Sequence, residues 1–163
     1  MEPKFVTLPE MKVAGLSTRF IQILSPDANN QPVVPTLWRE FLKRLSELRG
    51  RRNLSVTLGI CIPIPEAERK HPDEWRYLAG SEVEKGSPLP SGMELVTIPS
   101  GRYAVFTHRG RLESLPHTYN YIHGAWFPRC RATLRDALDF ELYDERFKPE
   151  SDDSELDIYI PVR

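Results

Sequence analysis

The sequence predicts an α+β domain built as a tandem βαββ duplication, with a mostly antiparallel sheet and its helices on one side. Three observations carry that prediction. Segments alternating apolar and polar residues fall in the order strand, helix, strand, strand, and that order then recurs. The connections are short, which favours antiparallel neighbours over parallel crossovers. The two halves also echo each other in letters. Lys4–Arg19 lies against Glu94–Arg109, 90 positions on, with Val6/Val96, Thr7/Thr97, Pro9/Pro99, Ala14/Ala104 and Arg19/Arg109 identical. Five matches alone could arise by scanning offsets. The recurrence of helix and strand pair behind them, with Trp38 matched to Tyr119 at an offset of 81, makes it a repeat with a pseudo-twofold axis. The pseudo-repeats span about 1–85 and 92–163, and the 163 residues form a single domain.

Within the first half, Lys12–Phe20 alternates at period two and reads as a strand. Pro32 and Pro35 then precede a helix over Thr36–Leu48, in which Leu37, Trp38, Phe41, Leu42, Leu45 and Leu48 form one apolar stripe. Thr36 is suited to cap its start and Gly50 its end. The strands Leu54–Cys61 and Trp75–Val83 follow, separated by Pro63, Pro65 and the polar loop 66–72. Strands Glu94–Ile98 and Tyr103–His108 open the second half. Its helix runs from about Leu115 to Phe127, burying Leu115, Tyr119, Ile122 and Trp126, with Pro116 in its first turn and Pro128 as its stop. Strands Leu138–Tyr143 and Leu156–Val162 close the chain around an acidic loop at 150–153.

Composition excludes several function classes. Apolar residues make up 40% and charged residues 28%, as in a folded globular chain. Lys plus Arg number 22 against 23 Asp plus Glu, a formal charge of −1, which speaks against a dedicated nucleic-acid binder. The cluster Arg49-Gly50-Arg51-Arg52 is explained by the dipole at a helix C-terminus. No basic leader precedes an apolar stretch, and no apolar run approaches the ~18 residues that cross a bilayer, so the expectation is a cytoplasmic protein without membrane contact. Cys61 and Cys130 form no spaced ligand set, and His71, His108, His117 and His123 show no metal spacing, so neither metal nor cofactor is expected. There is no GxSxG elbow, P-loop or GxGxxG, which demotes the common hydrolases, kinases and dehydrogenases. Cys61 lies in the apolar run Gly59-Ile60-Cys61-Ile62 and reads as a small buried filler.

The informative region is the last strand pair. Asp139, Glu141 and Tyr143 share one strand face, with Leu138, Phe140 and Leu142 on the other; Asp157 and Tyr159 alternate likewise with Leu156, Ile158 and Ile160. The plain reading is a solvent-facing side that carries carboxylates. The sharper one makes it the floor of a cleft walled by Trp38, Tyr119, Trp126 and Trp75 or Tyr77. A carboxylate in such a box is costly unless it takes a proton or binds a cation. Aromatic faces add roughly 0.5–2 kcal/mol per cation–π contact. The ligand would then be flat or greasy and positively charged. At the offset of 81, Glu141 matches Ile60, and the facing stays open because a slip of one residue reverses every side chain.

The run 101–110, the helix Leu115 to Pro128, the segment Asp139-Phe-Glu-Leu-Tyr-Asp144 and the ending Asp157-Ile-Tyr-Ile-Pro-Val162 resemble the GyrI-like small-molecule-binding domain, the effector-binding module of AraC-type and MerR-type multidrug regulators. The resemblance implies an eight-stranded curved sheet with two main helices and a central pocket on the pseudo-twofold axis. It implies a strand glutamate at Glu141 facing cationic aromatic drugs, an acidic-x-aromatic pair at Asp157 and Tyr159, and a helix-end tryptophan at Trp126. Trp38, Trp75 and Tyr77 are carried only by their place in the repeat. With no helix-turn-helix ahead of the first strand, the expectation is a free-standing member that binds a small, cationic or aromatic organic ligand. Two alternatives stand beside that binding protein. One is a hydrolase of cyclopropane-type genotoxins, with Glu141 as general base and Tyr159 or Tyr119 handling water. The other is an inhibitor of DNA gyrase acting by protein contact, for which gyrase or a regulator would be the partner.

Overall fold

The computed structural model describes residues 1–130 and 133–163 of the chain. Eight strands form one antiparallel sheet: β1 Lys4–Leu8, β2 Met11–Ile21, β3 Thr57–Pro63, β4 Glu74–Val83, β5 Glu94–Ile98, β6 Gly101–Arg109, β7 Asp139–Tyr143 and β8 Glu155–Val162. Helix α1 is Asn30–Lys43. Helix α2 is Leu115–Tyr121; it continues as a π-helical segment, Ile122–Trp126, and ends in a single turn, α3, Phe127–Arg129. The strand order is β1-β6-β8-β7-β3-β4-β2-β5, which a twofold between β7 and β3 maps onto itself.

That order forces the sheet to curl. β1 and β2 are joined by two residues, Pro9 and Glu10, yet stand first and seventh in the sheet; β5 and β6 are joined as briefly by Pro99 and Ser100. Such a link reaches at most ~11 Å, whereas six flat strand spacings would span ~29 Å. The ends therefore approach each other, and each half lends its first strand to the other half's sheet. The face inside the curl is filled mainly by strand residues: Val13, Leu58, Ile60, Leu78, Tyr103 and Phe140 are at most 2% exposed. On the other face, α1 packs Leu37 and Phe41 against Ala14, Tyr77 and Ala79. There α2 and its extension pack Leu115, Tyr119, Ile122 and Trp126 against Phe106, Ile158 and Ile160. These two helix-side clusters leave a gap over the central strands.

The ladders also fix the internal symmetry. The matched pair Ala14 and Ala104 face Ser81 and Ile160; the preceding residues, Gly80 and Tyr159, face Leu58 and Phe140. Gly59 is therefore the counterpart of Glu141, and the two are each other's ladder partners across the axis. The central strands match at an offset of 82, not 81, so Ile60 is not the counterpart of Glu141.

Several boundaries differ from the expectation. β1 is a strand beyond the seven that the alternation marks; it has five residues, at a mostly exposed edge of the sheet. Helix α1 begins at Asn30, so Pro32 and Pro35 lie within it. Pro32 falls where no intrahelical donor is required. Thr36 does not cap; its hydroxyl donates to the Pro32 carbonyl at 2.7 Å. The helix ends at Lys43 with Arg44 as its cap, rather than at Leu48 with Gly50 as cap, and a 3₁₀ turn, Leu45–Glu47, follows. Beyond it Arg51 leaves the helix direction, donating from Nε to Ser81 Oγ at 2.8 Å and forming a bridge to Val83. Arg52 pairs with Glu82 and Glu84. Arg51 and Arg52 thus have intramolecular partners beyond the helix end.

Candidate functional site

Glu141 lies in the gap between the helices. In the ladder it faces Gly59 on one side and Ile158 on the other, and Ile158 belongs to the α2 cluster, so Glu141 points to the helix side. It is 5% exposed. Three phenols donate to it: Tyr77 and Tyr143 to Oε1 at 2.8 and 2.9 Å, and Tyr119 to Oε2 at 2.7 Å. The Trp38 indole N–H donates in turn to the Tyr77 hydroxyl at 3.1 Å. None of the ion pairs among the described residues includes Glu141. Burial first, and then the Glu141 charge, push all three phenols well above the usual tyrosine range, so they stay protonated donors. The glycine opposite makes the arrangement possible. A Cβ on Gly59 would lie 1.8 Å from the Tyr77 hydroxyl oxygen and 3.0 Å from Glu141 Oε1.

Above this cluster is a cavity of about 930 Å³. Trp38, Trp75, Tyr77, Tyr119, Tyr143 and Phe147 supply aromatic wall, and Gln22–Leu24 crosses from the first half. His123 stacks nearly parallel on Tyr119 at 6.4 Å, and burial lowers its pKa, which favours the neutral ring. Cys61 and Asp139 share the floor as ladder partners. Burial raises the Cys61 thiol, and Asp139 and Glu141 raise it further, so it is a protonated wall atom rather than a nucleophile.

Of the sequence-predicted residues, the fold brings Glu141, Trp38, Trp75, Tyr77 and Tyr119 to one cavity. It does not bring Asp157, Tyr159 or Trp126 there. Because Ile158 is paired with Glu141, strand parity turns Asp157 and Tyr159 to the opposite sheet face. There Tyr159 stacks on Phe140 at 4.5 Å, and Asp157 accepts from Thr107 at 2.7 Å and pairs with Arg146 at 2.7 Å. Trp126 follows Tyr119 by seven residues, a spacing that keeps one face in an α-helix. Trp126 stays buried with Leu115, Tyr119 and Ile122 in the α2 cluster, but beyond the π-helical segment its indole packs edge-on against Phe106 at 5.0 Å and Phe127 at 4.9 Å rather than along the cavity. Tyr143 and Asp139 join the site beyond the residues expected from the sequence; their i±2 spacing from Glu141 on β7 is the signal that places them on its face. Nothing local signalled Gln22–Leu24, which joins the site through tertiary packing.

Asp139 has a titration of its own. Burial outweighs its own backbone N–H and raises its pKa to about 6 from 3.8, with Glu141 adding to the rise. Its folded pKa lies above its unfolded one, so the associated stability is full below ~4 and is lost as pH rises through ~6. Between pH 7.5 and pH 5, wild type should gain about 1 kcal/mol relative to Asp139→Asn, at 1.36 kcal/mol per unit. Urea melts of both proteins at both pH values check this, and parallel changes would refute it.

A family profile described as the GyrI-like small molecule binding domain matches residues 1–163. The chain belongs to the GyrI-like family. It is 35% identical over 127 residues to the transcriptional regulator BrlR of Pseudomonas aeruginosa, covering 77% of this chain and 45% of that protein. This GyrI-like chain thus matches less than half the length of that regulator. Among solved structures it resembles SAV2435 bound to tetraphenylphosphonium, with TM-score 0.74 and 18% identity over 100% of this chain and 94% of the other. It also resembles the EcmrR C-terminal domain, with TM-score 0.68 and 14% identity over 99% of this chain and 97% of the other. At these identities the likeness establishes a shared GyrI-like fold. Among the described residues no helix is long and apolar enough to cross a membrane, and no cluster of His, Cys, Asp or Glu is placed to hold a metal ion.

Proposed function

We propose that the cavity binds a flat, lipophilic aromatic cation, with Glu141 as its negative pole and Trp38, Trp75, Tyr77 and Tyr119 as aromatic walls. One observation carries this: a buried carboxylate, held by neutral phenols and, among the described residues, by no cation, sits under an aromatic cavity of about 930 Å³. Protein groups that meant only to stabilise the fold would pair such a charge or replace it. A ligand cation supplies the missing charge, and the surrounding rings attract it by their faces. The tetraphenylphosphonium named with SAV2435 supports this ligand class.

The test is a fluorescence titration of the protein with tetraphenylphosphonium, wild type beside Glu141→Gln. Micromolar binding is expected, weakened at least tenfold in the variant, which is ~1.4 kcal/mol. Equal binding by both, or by neither, would refute the reading and move a protein-contact role such as gyrase inhibition forward.

A hydrolase remains the second reading, because the same carboxylate could take a proton from water while a phenol supplies one to the opening ring of a strained substrate. The geometry favours binding: the phenols are held as weak acids, and three of the four good acceptor positions on Glu141 are filled. Tyr159, on the far face, has no part in either reading of the cavity. Mass spectrometry of the same titration mixtures, run with an electrophilic cyclopropane, separates them; a hydrated product scaling with wild type but not Glu141→Gln would promote the enzyme.

A further inference from the structure

We propose that Asp139 is the cavity's hydrogen-bond acceptor for ligand, selecting aromatic cations that carry an N–H donor, such as an amidinium, over cations that have none. The inference rests on the aromatic-cation reading of the cavity and assigns a different job to each of its two carboxylates. Glu141 has its acceptor capacity nearly filled by Tyr77, Tyr143 and Tyr119, and it is 5% exposed. A ligand therefore feels its charge through the phenol shell but has little room to bond it. Asp139 is two residues back on the same face of β7, ~7 Å along the strand, and lines the same cavity.

What distinguishes Asp139 is its lack of a side-chain donor. Its carboxylate takes its own backbone N–H, and among the described residues it has neither an ion-pair partner nor a side-chain hydrogen bond. Among the described residues, neither the thiol across the ladder nor the neighbouring arginines supply it a hydrogen bond. Across the ladder, Cys61 offers a thiol, a weak donor. In the segment entering β7, Arg135 donates from its terminal nitrogens to the carbonyls of Ser100 and Arg102 and lies over the Tyr103 ring at 5.0 Å; its Nε is buried without a partner among the described residues and makes no bond to Asp139. On α1, Arg39 donates to Thr36 at the exposed rim. An acceptor left open in a largely apolar cavity is costly while empty, and a charged N–H donor gives it a short, directional bond. Tetraphenylphosphonium can satisfy the charge of the cavity but not this acceptor. A ligand with an aromatic body over the Glu141 cluster and an N–H group ~7 Å away satisfies both.

The experiment is calorimetric titration of the full chain with two probes, tetraphenylphosphonium and biphenyl-4-carboxamidinium, using wild type, Asp139→Asn, Asp139→Ala and Glu141→Gln. Asp139→Asn and Asp139→Ala should each weaken the amidinium at least tenfold and leave tetraphenylphosphonium within twofold; Glu141→Gln should weaken both. Equal losses for the two probes in the Asp139 variants, or no loss for either, would overturn the assignment while leaving the cavity reading standing. Wild type that binds neither probe would overturn the cavity reading and this inference together. Retained tetraphenylphosphonium binding also certifies that an Asp139 variant is folded, so loss of the amidinium alone has one meaning.

Discussion

Gly59→Ala is expected to unseat Tyr77, to destabilise the protein by roughly 2–4 kcal/mol and to weaken cation binding more than tenfold. The added methyl would meet the Tyr77 hydroxyl oxygen at 1.8 Å and its Cζ at 2.6 Å. A flexible side chain could swing away, but this ring is held edge-on by Phe20 at 5.8 Å and Trp38 at 6.4 Å, and it is 3% exposed. Any retreat gives up the bond to Glu141 and the indole bond from Trp38. Overpacking costs about 1–3 kcal/mol, and a lost hydrogen bond to a charged group adds about 1.5–3 kcal/mol. Adding Tyr77→Phe removes the nearest clashing atom and should recover part of the loss, a coupling of ~1 kcal/mol between neighbours. Urea denaturation of the two single variants and the double variant measures this. A Gly59→Ala protein within 0.5 kcal/mol of wild type would mean that the close approach does not constrain the site.

Much of this site can be read from letters because its members obey local periodicities. Trp38 lies on the apolar stripe of α1, Tyr119 on that of α2, and Glu141 shares its strand face with Asp139 and Tyr143. What escapes such reading is pairing between distant segments. The facing of Asp157 and Tyr159 depends on which β7 residue stands opposite Ile158, and nothing within β8 specifies it. Likewise, an offset of 81 and one of 82 differ by a single residue, yet only the second puts Gly59 opposite Glu141 on the axis. Exchange of β1 and β5 between the halves is long-range in the same sense. Trp126 differs: the stripe places it correctly on the buried face of its helix, but that face is wider than the cavity, and the indole packs on Phe106 and Phe127 instead. At α1 the two prolines read as boundary marks, yet both lie within the helix: Pro32 falls in its first turn, and at Pro35 the packing of Leu37 and Phe41 outweighs a single missing donor.

Glu141→Leu should destabilise the protein by roughly 2–4 kcal/mol although it removes a buried charge, and the reason bears on why the carboxylate is there. The leucine leaves the hydroxyls of Tyr77, Tyr119 and Tyr143 without their acceptor in a cavity floor. Each orphaned buried group costs about 1–3 kcal/mol, partly offset by no longer desolvating a charge. Glu141→Gln keeps an amide oxygen for two of the phenols and should fall between leucine and wild type. The decisive variant removes the carboxylate and its three phenols, Glu141→Leu with Tyr77→Phe, Tyr119→Phe and Tyr143→Phe, and leaves only the half-buried Trp38 indole N–H, at the cavity wall, to find water as acceptor. Taking away both sides of a buried polar cluster is often neutral or stabilising, so this protein should melt within about 1 kcal/mol of wild type while losing tetraphenylphosphonium binding altogether. If it is instead as unstable as the single leucine variant, the cluster holds the fold together and needs no ligand to explain it. A stable protein that no longer binds would mean that the fold can do without the charge, and that the ligand is what retains it.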